Sequence, residues 1–233
     1  MGAPVISSIR AVYGAVWKYR TFMRFVADRQ LAASVHRTMF GRAWFLLIPL
    51  AQVLVYYFIV VVIFKTHANF EVDPIVTIMM GLMHYALLVN AASFAVPAIQ
   101  DNEGILLQIR IEPLVLVAIG FWKSLRISWL AIIAFFLLYA FRGPAPGPEM
   151  AAYPLVLGAW ILLCWVGSIF IASLSVFLRD LNRLVPMLIQ FAMYLSPVVY
   201  TLSFVGEDWR HLYLANPIAA GFALFQWTLL WEV

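Results

Sequence analysis

Charge is scarce in this chain. Of its 233 residues, 11% are Asp, Glu, Lys or Arg, against about 25% in an average soluble domain, while 65% belong to the hydrophobic set. A soluble core of this size leaves a large surface that water must wet, so the surplus of apolar side chains has to face lipid. That excludes a soluble enzyme, a nucleic-acid-binding domain and a disordered chain, despite a net charge of +4. Cysteine is nearly missing: Cys164 stands alone, which rules out an intrachain disulfide and a thiolate metal cluster. Catalytic signatures are missing too. No Gly-x-x-x-x-Gly-Lys-Ser/Thr loop occurs, and the Lys-Ser pair of Gly120-Phe121-Trp122-Lys123-Ser124 lacks the glycines that let backbone amides wrap a phosphate. It reads instead as a snorkelling lysine beside a helix serine. His36, His67, His84 and His211 show no metal-ligand spacing, and there is no Gly-x-Ser-x-Gly elbow.

Carboxylates are absent from the long apolar runs. All 11 acids, among them Asp28, Asp73, Glu112, Glu149 and Asp180, map to loops, to the N-terminal arm or to a terminus. Proton- and ion-coupled carriers are marked by ionisable groups inside the membrane, so a proton-driven mechanism is disfavoured. No site for a metal or a bound cofactor is expected on this chain, and no catalytic residue.

What is present is a series of apolar runs. A spanning helix needs about 20 predominantly apolar residues. Residues 44–64, 75–99, 151–178 and 184–205 meet that need without a charge, as does 114–141 if Lys123 and Arg126, three apart on one helix face, reach a headgroup layer. The run 211–231 is broken by Asn216-Pro217, because a residue before proline avoids helical geometry. The remainder, 217–231, has re-entrant length. The pattern predicts an all-α polytopic membrane protein with five spans plus a terminal hairpin, six short crossings being the alternative. Phe141-Arg142-Gly143-Pro144-Ala145-Pro146-Gly147-Pro148 predicts a turn between the third and fourth spans.

Lys and Arg set the orientation. Seven precede Trp44, and Arg110, Lys123, Arg126, Arg179 and Arg183 follow on the same side; the opposite loops hold only Lys65, Arg142 and Arg210. The positive-inside rule then puts the N-terminus in the cytoplasm. The first long apolar run begins only at Trp44, behind the basic arm, so no signal peptide is expected. Within the arm, 21–41 mixes Phe22, Phe25, Val26, Leu31, Val35, Met39 and Phe40 with Arg24, Arg29, His36, Arg37 and, just beyond, Arg42. An amphipathic helix in the headgroup layer explains that mixture. The domain reading is therefore 1–43 as a cytoplasmic arm with an interface helix and 44–233 as the membrane domain.

Four places taken together carry a family resemblance, over about 26–231. The first is Met39-Phe40-Gly41-Arg42-Ala43-Trp44-Phe45-Leu46-Leu47-Ile48-Pro49-Leu50, similar to Leu-Gly-x-x-Trp-x-x-Leu-x-Pro-Leu. The second is Asn102-Glu103-Gly104 followed by Pro113. The third is Phe177-Leu178-Arg179-Asp180-Leu181, leading to Pro186, Gln190 and Tyr194-Leu195-Ser196-Pro197-Val198-Val199-Tyr200. The fourth is Asn216-Pro217. In this order they resemble the membrane subunits of ABC-2-type (type V exporter-like) transporters for O-antigen, capsular polysaccharide and teichoic acid. Ala32, Ala33 and Ser34 stand where family members often carry Lys, Arg and Tyr. The family also has a final transmembrane helix and a short basic tail, without counterpart in the sequence at hand, which ends at Val233.

The resemblance implies a multi-pass protein of the inner (cytoplasmic) membrane, a homodimer that forms the pore on two copies of a cytoplasmic ABC ATPase holding the ATP and Mg. The cargo would be a lipid-linked polysaccharide; membrane lipids surround the complex, a periplasmic co-polymerase or export protein is a further expected partner, and nucleic acid is not. Asp101, Asn102, Glu103, Gly104, Ile105, Leu106 and Arg110 are the candidate ATPase-coupling residues, with Ile109 and Ile111 offered to a partner groove ahead of the helix-stopping Pro113. Arg24, Arg29, Arg37 and Arg42 belong to the interface helix, which by the resemblance also gates lateral access of the lipid-linked glycan. His84, Tyr85, Trp122, Trp129, Tyr194 and Tyr200 are candidates for a glycan path, since sugar C–H faces stack on aromatic rings; Asn90 is a further polar residue expected to face the pore. By the resemblance the stretch after Pro197 folds back from the outside as an exit gate, Gly206-Glu207-Asp208 being its outer turn and Asn216-Pro217 its tip. Arg179-Asp180 would pair with each other or touch the ATPase. One rival is the same fold carrying a drug or small lipid. Another is an integral-membrane acyl- or glycosyltransferase built on Glu207, Asp208 and His211.

Overall fold

A computed structural model of the chain describes residues 14, 16–65, 72–102 and 111–231. Every regular element among them is helical. In chain order these are α1 (Arg20–Ser34), α2 (Trp44–Tyr57), α3 (Pro74–Ala95), α4 (Pro113–Arg142), α5 (Tyr153–Phe177), α6 (Leu181–Tyr194), α7 (Glu207–Leu214) and α8 (Pro217–Leu230). Short tighter turns lead into α2 and α5, and α2 runs on as a π-helical stretch, Phe58–Ile63. Four stretches are long and apolar enough to cross a membrane: Gly41–Ile63, Pro74–Ala95, Pro113–Arg142 and Pro148–Phe177.

The α1 helix is amphipathic but shorter than the apolar pattern suggested. It ends at Ser34 rather than near residue 41, because Arg37 and Gly41 both take left-handed backbone, φ 67° and 51°. A glycine at 41 makes that conformation inexpensive. The arm is not free of the bundle. Met23 and Ala27 are buried against Ile111, Val115 and Ile119 at the start of α4, and Asp28 meets Arg126 at 3.4 Å. Ile111 is thereby committed to α1 and not to a partner groove, a correction to the expectation for that residue.

α3 is the hub. A helix that is apolar all round belongs inside, and α3 is buried from Val76 to Tyr85 without a break. Its N-terminus is fixed twice by Asp73, whose Oδ1 accepts from the Ile75 amide at 3.1 Å while Oδ2 receives Arg142 at 3.0 Å. The second contact ties the start of α3 to the end of α4. α2 is the opposite case, with Ile48, Leu54, Val55, Phe58 and Val62 all more than half exposed, a surface for lipid or for another subunit.

The 184–205 run does not form one continuous crossing. α6 spans 14 residues, about 21 Å, and stops at Tyr194. Ser196 precedes Pro197, whose ring and missing N–H end a helix. The chain then turns through 195–202, runs back as α7, and starts α8 at Asn216-Pro217. Asn216 caps α8, its Oδ1 accepting from the Ile218 amide at 3.0 Å, and its Nδ2 lies 3.5 Å from Ser196 Oγ. α8 rises from mid-depth, where Phe222 packs on Tyr85 and Trp160, to the far end, where Tyr139 donates to the Leu229 carbonyl at 2.9 Å.

Candidate functional site

Between α2, α3, α4 and α6 lies a cleft of about 610 Å³. A second hollow of about 520 Å³ continues it along α2 past Tyr194, sharing Trp44, Ile48, Gln52 and Tyr56. The lining is aromatic and amide-rich: Trp44, Tyr56, Tyr85 and Phe94 supply rings, and Gln52, Asn90, Ser128 and Gln190 supply neutral hydrogen-bonding groups. Among the described residues, no charged side chain lines it. The wall is held by its own polar groups. Tyr85 donates to the Ile189 carbonyl, joining α3 to α6. Asn90 Nδ2 donates to Ser128 Oγ at 3.2 Å, joining α3 to α4. Such a surface offers flat apolar faces and exchangeable hydrogen bonds to a neutral polar chain, with no fixed charge to trap it.

The expected glycan-path residues are scattered. Tyr85 and Tyr194 line the cleft and its extension. His84 does not: it is fully buried, with Nδ1 2.7 Å from the Met80 carbonyl, Nε2 2.8 Å from Tyr153 Oη, and the rings of Phe135 and Phe225 beside it. Both nitrogens are satisfied, which makes it a core residue. Trp122 sits under α1, with the guanidiniums of Arg24 and Arg126 4.9 and 5.7 Å from its ring. Trp129 is half exposed on the far side of α4, in a groove against α5. Tyr200 lies beyond α6, donating to the Tyr194 carbonyl at 3.0 Å and meeting the Tyr213 hydroxyl. Gln52 and Tyr56 were not singled out from the sequence, and Gln190 stood there only in the family motif and not among the path residues; each is a polar residue inside an apolar run, the same signal that drew attention to His84 and Asn90.

The expected gate residues are brought together. Pro197 and Asn216 flank Ser196, and the segment between Pro197 and Leu202 is held by Gln226 of α8. Its Nε2 donates to the carbonyls of Pro197 and Tyr200 at 2.9 and 2.8 Å, and its Oε1 accepts from the Leu202 amide at 2.9 Å. On the other flank the backbone of Val198 presses on Gly81, where any Cβ would fall 1.5 Å from the Val198 carbonyl oxygen. Gln226 was missed in the sequence, although a lone amide in 217–231 carries the same signal.

At the α1 end, Asp101 and Asn102 form a short turn, Gln100–Asn102, with Asn102 Nδ2 on the Ala98 carbonyl at 2.9 Å. Glu103, Gly104, Ile105, Leu106 and Arg110, with Ile109, lie outside the described residues. Gln100, not anticipated, bridges from this turn to two other helices: its amide donates to the Ser175 carbonyl of α5, and its Oε1 accepts from Asn182 Nδ2 of α6 at 3.0 Å. Arg179 and Asp180 are exposed, and the two ion pairs among the described residues are elsewhere, Arg126–Asp28 and Arg142–Asp73. Arg29 stacks over Phe25 at 5.2 Å, while Arg37 and Arg42 are exposed in the turns before α2. Glu207, Asp208 and His211 are all exposed on α7.

A family profile described as ABC-2 type transporter matches residues 23–230. The chain belongs to the ABC-2 type transporter family. The match runs from within α1 to the end of α8. Among curated proteins, the O-antigen export system permease protein RfbA of Myxococcus xanthus is 24% identical over 214 residues, 91% of this chain and 81% of that protein. Two permeases of the same name from Klebsiella pneumoniae are 21% and 22% identical, each covering 84% of this chain and 74% of their own length. As an ABC-2 permease the chain is a multi-pass membrane protein, in line with its four long apolar helices.

Proposed function

We propose that this chain is the transmembrane subunit of an ATP-driven exporter that carries a lipid-linked cell-surface polysaccharide across the inner membrane. The observation that carries the reading is the uncharged, aromatic and amide-lined cleft between α2 and α6, in a chain similar to O-antigen export permeases over most of its length. A neutral glycan needs ring faces and hydrogen bonds rather than ionic anchors. The positive-inside distribution supports a cytoplasmic N-terminus, with α1 in the inner headgroup layer and 203–206 outside. The exposed face of α2 supports a second copy across the cleft, so that two half-walls enclose the path. ATP and Mg belong to two copies of a cytoplasmic ATPase.

Coupling follows from Gln100. A push on the turn Gln100–Asn102 reaches α6 through the Gln100–Asn182 hydrogen bond, and α6 is one wall of the cleft. Opening is then a sliding of α6 against α3, resisted at Tyr85. On the outer side the turn held by Gln226 and the hairpin of α7 and α8 would form the exit gate.

The test is to narrow the cleft without disturbing its frame. Gln52 and Gln190 are exposed, so Gln52→Trp with Gln190→Phe should insert normally and still assemble with the ATPase. Surface polysaccharide should fall at least tenfold, with lipid-linked glycan accumulating inside. Undiminished polysaccharide export would overturn the assignment of the path, and export of a small lipid or drug in its place would overturn the cargo.

A further inference from the structure

A second feature lies on the opposite face of α4 from the cleft. Ile127, Ser128 and Ala131 face the cleft, whereas Ala118, Phe121, Trp122, Trp129 and Ile133 face a seam shared with α5. Toward the α1 end this seam holds a hollow of about 560 Å³, walled by Trp17, Trp122 and Trp165, floored by Gly158 and Leu162, and rimmed by Arg20 and Arg24. Farther along is an apolar hollow of about 290 Å³ bounded by Trp129, Ile133, Phe136 and Leu157. Leu157 of this hollow and Gly158 of the larger one are consecutive residues of α5. From Trp122 to Ile133 the seam runs about 16 Å along α4, close to the depth of one leaflet.

The rim is electropositive and most of its donors are unspent. Arg20 and Arg24 take no part in the ion pairs among the described residues. Each instead lays its guanidinium on an indole, Arg20 on Trp17 at 4.8 Å and Arg24 on Trp122 at 4.9 Å. Stacking leaves the N–H edges of a guanidinium available to phosphate oxygens; one N–H of Arg20 is used on the Trp17 carbonyl at 3.1 Å. Trp122 Nε1 is enclosed with no acceptor among the described residues, and an enclosed donor without a partner calls for one. The floor is open: a Cβ added at Gly158 would meet nothing within 4 Å.

We infer that this seam holds one anionic phospholipid of the leaflet in which α1 lies, its phosphate between Arg20 and Arg24 and one acyl chain along α5 past Gly158. A cationic rim above two apolar hollows that together span about the depth of one leaflet matches a phospholipid. A polyprenyl carrier would overrun a groove of this length, and the path for its glycan is on the other face of α4. The lipid acts as a wedge that fixes α1 against α4 and α5. The inference rests on α1 lying at the membrane surface and is independent of the cargo.

Native mass spectrometry of the purified full chain, exchanged into phosphatidylglycerol, phosphatidylcholine or polyprenyl phosphate, tests it. The wild-type chain should retain one phosphatidylglycerol at activation energies that strip phosphatidylcholine. Arg20→Gln with Arg24→Gln should lower that retention at least fivefold, and so should Gly158→Phe, which fills the groove. Both variants should keep the lipid-free melting temperature. Equal retention of phosphatidylcholine, unchanged retention in the arginine variant, or displacement of phosphatidylglycerol by equimolar polyprenyl phosphate would each overturn the inference. Should Gly158→Phe lower the lipid-free melting temperature, the arginine variant alone decides. Lost retention with export intact leaves both proposals standing; lost export with retention intact bears only on the transport reading.

Discussion

Gln226 spends both ends of its amide on a stretch of chain that has no long helix of its own. Inside an apolar slab every backbone polar group needs a partner, and residues 197–202 find three in one side chain. Gln226→Leu, of similar volume, leaves the Leu202 amide and the Pro197 and Tyr200 carbonyls unmet, at a cost of roughly 3 kcal/mol. In detergent this should lower the thermal unfolding midpoint and shift the urea midpoint the same way. An unchanged midpoint would show that the segment does not depend on the clasp. Gly81→Ala should act in the same direction, because its methyl cannot coexist with the Val198 carbonyl at the observed spacing. The sequence announced Pro197 and Asn216 through proline chemistry, which is local. It did not announce Gly81 or Gln226, whose roles come from segments more than 20 residues away, and it misdirected His84, since a polar residue in an apolar helix looks the same whether it meets a pore or an aromatic box.

At the scale of elements, the first four apolar runs became helices close to their expected bounds, because each has the length and composition that lipid demands. The fifth differed. Composition alone reads 184–205 as one span, but Pro197 divides it and leaves α6 to cross only part of the bilayer. α6 is nevertheless the element placed to move. It touches the turn Gln100–Asn102, proposed above to receive the ATPase, through Asn182 and Gln100, and it meets α3 through Tyr85. Gln100→Leu should therefore uncouple the machine: ATP hydrolysis by the assembled complex stays within twofold of wild type while glycan export drops about tenfold. Parallel loss of both activities would mean that Gln100 serves assembly instead. Nothing in the sequence marked Gln100, because the residues on either side of it, Ile99 and Asp101, carried the attention and its partners lie in α5 and α6.

For the whole molecule, the proposed orientation rests on twelve basic residues against three, the bias of the positive-inside rule. It can be checked directly, because the lone Cys164 is buried and should be silent to a membrane-impermeant maleimide. A cysteine at Gly206 should react in intact cells, and one at Arg179 only after the membrane is opened; the reverse pattern would invert the topology. The family match leaves the interior architecture to physics, and there α3 has the most demanding position. Its His84 is shielded by Tyr153 of α5 and by Phe225 of α8, segments translated long after it. During biosynthesis α3 must consequently wait in the bilayer with an imidazole facing hydrocarbon until α8 arrives. Any nascent product interrupted before Phe225 keeps that ring on display, which gives membrane quality control a built-in flag for unfinished copies.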